Sequence, residues 1–317
     1  MARRAVPETV TRDVSAPGGI PARSRPAALL VSLRPEQWTK NLVVFAGLLF
    51  GRRLLDPHAV GLAVAAFAVF CALSGVVYLV NDVADREADR RHPLKSRRPI
   101  ASGALSPGLA LSVGAVLGAV ALAAAFALGP RFGGVALAYV ALLGAYSARL
   151  KHVVIIDVLT IAIGFVLRAV AGAVVVAVPI SQWLLACTVL LALFLALSKR
   201  RHEIVLLADS ATEHRRILGE YSPYLLDQMI GVVTASTLIA YIFYTLSPET
   251  AQRFDTPYMG LTTPFPLYGI FRYLYLVHQK EGGGSPATML LADTPLLICV
   301  ALWAAAVVVI VYRPWTF

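Results

Sequence analysis

The chain has 317 residues, of which 58% are hydrophobic and 15% are charged, and its mean hydropathy is +0.72. Soluble domains usually carry about 25% charged residues, so this composition excludes an ordinary soluble domain. A net charge of +10 would suggest nucleic acid in a soluble protein, but here the basic residues lie between apolar segments, as in membrane proteins. We therefore expect an all-α, polytopic membrane protein with no nucleic-acid partner.

Residues 1–26 contain several prolines and arginines and no apolar core, so they predict a disordered basic tail and no signal peptide. The remainder, 27–317, is predicted to be one transmembrane domain. A membrane-spanning helix needs about 20 apolar residues. The chain offers nine candidate spans, approximately 28–50, 58–81, 106–128, 132–149, 154–177, 180–198, 224–247, 263–279 and 292–312.

The distribution of basic residues predicts the orientation of these spans. With a cytoplasmic N-terminus, most of the 28 Lys and Arg residues fall in cytoplasmic segments, as the positive-inside rule requires. Arg168 and Arg272 fall inside predicted spans, where an arginine is costly and usually faces a partner or a cavity. For Arg168 a structural ion pair between helices remains an alternative.

An aspartate-rich segment, NDVADREAD at 81–89, follows the second span directly. On a helix, Asp82, Asp85 and Asp89 share one face, and carboxylates at this spacing repel one another. Mg²⁺ would remove that repulsion and is usually held by one or two carboxylates together with substrate phosphates. These three aspartates are the predicted metal ligands, supported by Asn81. A solvated helix end is the alternative, although acidic residues are unfavourable at a helix C-terminus.

A basic loop, RRHPLKSRRPIASG at 90–103, comes next, and its two prolines interrupt helical structure. Lys95, Arg97 and Arg98 are predicted to bind phosphate, because guanidinium groups offer bidentate geometry. His92 is predicted to be a hydrogen-bond partner and not a metal ligand, since no second histidine has suitable spacing. The alternative is a loop whose positive charges serve only to fix the orientation of the protein in the membrane.

Two later polar segments fall on the same predicted face of the membrane. YSARLK at 146–151 ends the fourth span, and Asp157 opens the fifth. Asp157 is therefore expected to face the aspartate cluster across a cavity. SKRRHE at 198–203 ends the sixth span and predicts either an ordered charged network or another loop that fixes orientation.

Nine helices with NDVADREAD after the second span and RPIASG beyond it resemble the UbiA superfamily of intramembrane prenyltransferases. In that family, two aspartate-rich cytoplasmic motifs bind Mg²⁺ and a diphosphate. The common aromatic prenyltransferases usually have paired aspartates in the second motif, whereas YSARLKHVVIID supplies Lys151 and a single Asp157. This variant is similar to the decaprenyl-phosphate phosphoribosyltransferase branch, as are RPEQWTKN, HPLKSRRPIASG, SKRRHE and YGIFRYLYLVH followed by EGGGSP.

The resemblance implies a water-soluble donor, phosphoribosyl pyrophosphate (PRPP), and a lipid acceptor, decaprenyl or another polyprenyl phosphate. The implied product is decaprenylphosphoryl-5-phosphoribose, a precursor for cell-wall arabinogalactan. The resemblance also implies Mg²⁺ as cofactor, a multi-pass protein of the inner (plasma) membrane with a cytoplasmic active site, and a homo-oligomer, with a trimer as the expected assembly.

The same resemblance implies roles for individual residues. Asp82, Asp85, Lys151 and Asp157 are the implied catalytic residues, and Lys40, Lys199, Arg200 and Arg201 are candidates for binding the lipid phosphate. The full implied substrate-binding set is Lys40, Asn81, Asp89, His92, Lys95, Arg97, Arg98, Tyr146, Lys199, Arg200 and Arg201.

Two other functions remain open at this point. A UbiA-type enzyme that uses a prenyl diphosphate donor would need the same metal cluster, but the single Asp157 counts against it. A transporter would place its charges near the membrane midplane on paired broken helices, whereas the acidic cluster lies at the membrane face.

Overall fold

The computed structural model describes residues 24–92, 95–207, 219–280 and 286–313, and within these ranges it contains helices and no strand. Seven of the described helices are long and apolar enough to cross a membrane. They are α3 (Pro57–Ala84), α5 (Pro107–Leu128), α6 (Pro130–Ala148), α7 (Ile156–Val175), α8 (Gln182–Leu207), α9 (Pro223–Leu246) and α13 (Thr294–Tyr312). The shorter helices are α1 (Arg25–Ser32), α2 (Ala46–Phe50), α4 (Arg86–Arg91), α10 (Pro248–Phe254), α11 (Pro264–Gln279) and α12 (Pro286–Ala292).

Several long helices begin with a proline directly after a capping side chain. Asp56 accepts hydrogen bonds from two backbone amides at the start of α3, and Ser106 and Ser222 each accept one at the starts of α5 and α9. Proline fits the first helical turn because its missing N–H has no partner there in any case. These local signals fix where the long helices begin.

The first predicted span, 28–50, is not one helix. It is divided into α1, a 3₁₀ helix at Pro35–Phe45, and α2. The break falls at Arg34, whose φ is 53°. Pro35 follows it, and a proline disfavours the α conformation for the residue before it. The eighth predicted span also differs, since α11 has 16 residues and is about 24 Å long. The predicted all-α membrane fold is confirmed, whereas the count of nine spans is not.

The broken first segment packs tightly against α7 through glycines. A Cβ on Gly172 would lie 1.8 Å from the carbonyl oxygen of Val44, and a Cβ on Gly47 would lie 2.6 Å from the amide nitrogen of Ala173. Small residues allow helical backbones to approach this closely in membranes. The contact fixes the 3₁₀ helix beside α7 and so positions the polar residues that both carry.

The outer surface of the bundle is apolar. Val116, Val120, Val232 and Ile239 are each more than half exposed, which suits lipid as the surrounding solvent. Together with the seven long helices, this surface identifies a multi-pass membrane protein.

Parts of the sequence-based interpretation lie outside the described residues. The helix α1 begins at Arg25, two residues before the expected start of the transmembrane domain, and residues 1–23 of the predicted tail are not among those described. The same holds for 93–94 of the basic loop and for 281–285 of the EGGGSP segment.

Candidate active site

The polar segments that the sequence singled out meet at one end of the helix bundle. Lys151 Nζ lies 3.2 Å from Asp85 Oδ1, although 66 residues separate them. Arg200 donates from Nε to Asp157 Oδ2 at 2.9 Å. This end is formed where α3, α6 and α8 end and where α7 begins.

Asp82 and Asp89 converge on a single cationic group. Arg98 Nη1 lies 3.1 Å from Asp82 Oδ1 and 2.7 Å from Asp89 Oδ2. Both aspartates are buried, so their negative charges depend on nearby cations for compensation. The expected phosphate-binding role of Arg98 is thus combined with contact to two predicted metal ligands.

Arg34 is a site residue that the sequence reasoning missed. Its guanidinium donates to Asp82 Oδ1 and lies 4.7 Å from the centroid of the Tyr78 ring. The positive φ of Arg34 turns the chain between α1 and the 3₁₀ helix and directs this side chain toward the end of α3. The Arg-Pro pair inside an otherwise apolar segment was the available signal.

Asp85 lies apart from the other two aspartates. The helix α3 ends at Ala84 and α4 begins at Arg86, so Asp85 occupies the junction, where its amide donates to the Asn81 carbonyl at 2.8 Å. Its side chain is 45% exposed and pairs with Lys151. In the described parts of the chain, no three acidic, histidine or cysteine side chains gather around one point. The three predicted ligands therefore divide into a pair and a single residue.

The sequence predicted that Asp157 would face a cavity, but in the structure its side chain is fully buried. Its Oδ2 accepts from Arg200 and its Oδ1 accepts from the Tyr221 hydroxyl at 2.9 Å. Burial raises the pKa of Tyr221 to about 12, so this hydroxyl stays protonated and can donate. The hydroxyl also accepts from the Ile155 amide at 2.7 Å. Ile155 has φ = 68°, which is strained for a β-branched residue, and Tyr221 holds it there.

Arg200 joins Asp157 to the rest of the third cluster. It donates to Glu203 at 2.6 Å and to the Tyr146 hydroxyl at 3.3 Å, and it is 3% exposed. Lys199 lies 3.7 Å from Glu203 and stays partly exposed. The predicted charged network at 198–203 is therefore present, with Arg200 at its buried centre and Lys199 at its margin.

Residues of the basic loop occupy different environments. The Lys95 amide donates to His92 Nδ1 at 3.3 Å, so one ring nitrogen of His92 already has a protein partner. Burial lowers the pKa of the Lys95 ammonium group. Arg97 is exposed and, with Arg34, Asp82 and Arg98, lines a cavity of about 360 Å³.

Arg201 points toward α9. It pairs with Asp227, which also lies 3.2 Å from His278 Nε2. These contacts join α8, α9 and α11. Arg201 was predicted to bind the lipid phosphate, but in the structure it has a protein partner, Asp227.

The family model described as the UbiA prenyltransferase family matches residues 41–294. The chain belongs to this family. The matched region includes both aspartate positions, the basic loop and the Arg200 network, and the family together with its relatives identifies the chain as a membrane transferase.

Two curated relatives of this UbiA family member are similar along most of their length. A decaprenyl-phosphate phosphoribosyltransferase of Corynebacterium glutamicum is 32% identical over 92% of this chain and 89% of its own. A protein of the same name from Mycolicibacterium smegmatis is 31% identical over 92% of this chain and 95% of its own.

Solved structures share the fold. A UbiA homologue from Archaeoglobus fulgidus bound to GPP and Mg²⁺ has a TM-score of 0.67 at 21% identity, covering 89% of this chain and 99% of that one. The same homologue bound to DMAPP and Mg²⁺ also has a TM-score of 0.67, covering 90% of this chain.

The Asp82–Asp89 pair of this UbiA member fits a hard divalent cation. Both groups supply carboxylate oxygens, and both already contact one positively charged nitrogen. Mg²⁺ commonly uses one or two carboxylates and takes its other ligands from phosphates and water. Asp85 is exposed enough to add a further oxygen, whereas Asp157 has both oxygens engaged within the protein.

A buried arginine, Arg168, lies beside the first segment of this chain. Arg168 donates to Asn41 Oδ1 at 2.7 Å and to the Tyr139 hydroxyl at 2.6 Å, and it lies over the Tyr139 and Phe165 rings. Within the described residues its partners are neutral, so the structure does not support the structural ion pair considered for Arg168. Lys40 is the neighbour of Asn41 in the chain and lies beside this network.

Proposed function

We propose that this chain transfers 5-phosphoribose from PRPP to decaprenyl phosphate or another polyprenyl phosphate. The bond from the ribose C1 to the pyrophosphate oxygen breaks, a lipid phosphate oxygen bonds to C1, and pyrophosphate leaves with the electron pair. The product would be decaprenylphosphoryl-5-phosphoribose, for synthesis of arabinan cell-wall precursors such as those of arabinogalactan. Similarity to decaprenyl-phosphate phosphoribosyltransferases along nearly the full chain supports this proposal.

The state of Asp157 is the structural observation that carries the proposal. The paired-aspartate pattern of the aromatic prenyltransferases is replaced by one carboxylate, and both of its oxygens are engaged by Arg200 and Tyr221. A carboxylate held in this way is a poor metal ligand. It fits an enzyme in which one acidic cluster handles a diphosphate and the other positions a buried arginine.

The basic residues around the first cluster match the charge of PRPP. Lys151 and Lys95 would bind the pyrophosphate, and Arg98 would turn from the two aspartates toward it. When bound at Asp82 and Asp89, with Asp85 nearby, Mg²⁺ would supply positive charge for the leaving group. Asn81 and Tyr146 would complete the polar wall of the site.

The acceptor phosphate is already anionic at neutral pH, so its attack on C1 requires no strong general base. The attacking oxygen needs cations that orient the phosphate group while leaving that oxygen unprotonated. Lys40 and Lys199 are the candidates that are best placed for this role, because Arg200 and Arg201 are engaged by carboxylates at hydrogen-bond distance, whereas Lys199 is more exposed and lies 3.7 Å from Glu203. The lipid tail would extend among the apolar helices toward the bilayer.

Orientation and assembly belong to the same proposal. In the described parts of the chain, most Lys and Arg residues belong to segments at the end of the bundle that carries the aspartates, and this favours a cytoplasmic active site in the plasma membrane. That location gives access to the water-soluble donor. A homo-oligomer, with a trimer as the expected form, would be measured by mass determination in detergent.

The test uses purified protein in detergent with Mg²⁺, decaprenyl phosphate and PRPP labelled in the ribose. The label is expected to enter the lipid phase and to stay in water when EDTA is present. A preparation that transfers no label, but consumes a prenyl diphosphate in the presence of an acceptor, would replace this proposal with the other UbiA chemistry.

A further inference from the structure

A cavity of about 360 Å³ lies beside the aspartate cluster. It is bounded by the end of α1, the start of the 3₁₀ helix and residues 97–99 of the basic loop. Most of its wall is polar or charged. The residues that matter here are Arg34, Glu36, Gln37, Asp82, Arg97 and Arg98.

The charges on this wall favour an anion. Three guanidinium groups face two carboxylates, and one of those carboxylates, Asp82, is shared between Arg34 and Arg98. Arg97 is exposed and has no ion pair with a described residue, so its charge is free to meet a ligand.

Arg34 is held in place before any ligand arrives. Its backbone is fixed by the left-handed turn ahead of Pro35, and its guanidinium is fixed between Asp82 and the Tyr78 ring. A guanidinium whose position is already set loses little conformational entropy when it binds a phosphate. The cavity therefore combines one ordered arginine with one adaptable arginine, Arg97.

Lys151 contacts Asp85 and is not part of the cavity wall. The positive groups thus contact different aspartates: Arg34 contacts Asp82 on the cavity side, and Lys151 contacts Asp85 on a side that is not part of the cavity wall. A donor with a single charged end would use one of these sides. A donor with phosphate at both ends would use both.

We propose that this cavity binds the 5-phosphate of the donor through Arg34 and Arg97, with Gln37 as a neutral hydrogen-bond partner, while the pyrophosphate binds on the Lys151 side. This assignment rests on the proposed function and names the element that selects a doubly phosphorylated donor. A prenyl diphosphate has an apolar chain in place of the second phosphate and would leave these two arginines without a ligand.

The experiment measures binding of two separate probes by calorimetry in detergent. Ribose 5-phosphate carries only the 5-phosphate, and Mg²⁺-pyrophosphate carries only the leaving group. The variants are Arg97→Gln, Arg34→Gln and Lys151→Gln. Arg149→Gln is the matched control, because it removes an exposed positive charge near Lys151 that does not line the cavity.

Arg97→Gln is expected to weaken ribose 5-phosphate binding roughly tenfold or more, because a charge-assisted hydrogen bond is lost. Its affinity for Mg²⁺-pyrophosphate should stay within about threefold. Lys151→Gln should show the reverse pattern, and Arg149→Gln should change neither. Arg34→Gln should also weaken ribose 5-phosphate binding, and its effect on Mg²⁺-pyrophosphate is not used as a criterion because Arg34 contacts the predicted metal ligand Asp82. Because Arg97 is exposed, its variant is not expected to disturb folding.

Equal weakening of both probes by Arg97→Gln, or no weakening of either, would overturn the assignment. If the wild type transfers ribose from PRPP and the variants behave in that way, the subsite is wrong and the proposed function stands. If the wild type binds neither PRPP nor ribose 5-phosphate and instead uses a prenyl diphosphate, the proposed function fails as well.

Discussion

Asp82 and Asp157 are both almost completely buried, with 2% and 0% of their surfaces exposed, yet their surroundings differ. The cations that contact Asp82 are Arg34 and Arg98, whose side chains are 22% and 29% exposed. The cation that contacts Asp157 is Arg200, which is 3% exposed. Partners that reach water can exchange for a metal ion and a phosphate, whereas a fully enclosed pair is fixed. The first carboxylate is therefore suited to binding and the second to positioning.

Replacing Asp82 should produce the largest loss of activity. Asp82→Asn removes a predicted metal ligand, so transfer from PRPP should fall by about a hundredfold or more, because several kcal/mol of transition-state stabilisation is lost. Stability should change little, since the partners of Asp82 are partly solvated. Initial transfer rates and thermal unfolding in detergent measure both effects.

Glu87→Gln is the matched control for this prediction. Glu87 lies on α4 with Asp89, but its side chain is 70% exposed and pairs only with Arg90 among the described residues. It should retain nearly full activity. A comparable loss in Glu87→Gln would mean that general acidity at this face, and not a specific ligand, supports the reaction.

Replacing Asp157 should affect stability more than any change at the first cluster. Asp157→Asn leaves the buried Arg200 with incomplete compensation, which typically destabilises a protein by about 3 kcal/mol or more. The apparent melting temperature should fall by roughly 5–10 °C. Tyr221→Phe removes one hydrogen bond to the same carboxylate and should cost about 1 kcal/mol. Unchanged melting of Asp157→Asn would contradict the positioning role.

The smallest expected effect concerns pH. Burial lowers the pKa of Lys95, so its positive charge is lost at a lower pH than that of an ordinary lysine as the pH rises. Affinity for PRPP should weaken along this alkaline limb. Lys95→Arg keeps the charge and should move the limb to higher pH. Coincident wild-type and variant profiles would exclude Lys95 as the titrating contact.

Much of the fold could be predicted from the sequence because the long helices are apolar and several begin at a capping residue followed by proline. The aspartate cluster was visible for a similar reason, since its residues are close in sequence. Contacts between distant segments were not visible. Arg34 meets Asp82 across 48 residues and Tyr221 meets Asp157 across 64, and neither pair has a local pattern.

The break in the first segment explains why the sequence interpretation did not include Arg34 among the site residues. Treating 28–50 as one span placed Arg34 inside the membrane as an interruption, whereas its left-handed turn brings it to the end of α3. The burial of Asp157 was also unpredictable, because it depends on Arg200 from α8 and Tyr221 from the segment before α9.

The most direct test of the proposed reaction follows two labels in parallel incubations with Mg²⁺ and decaprenyl phosphate. One PRPP sample carries the label in the ribose and another carries it in the β-phosphate of the pyrophosphate. The proposal predicts that the ribose label enters the lipid phase while the β-phosphate label remains in water as pyrophosphate. Both labels remaining in water, in a preparation that consumes a prenyl diphosphate in a separate incubation with an acceptor, would contradict it.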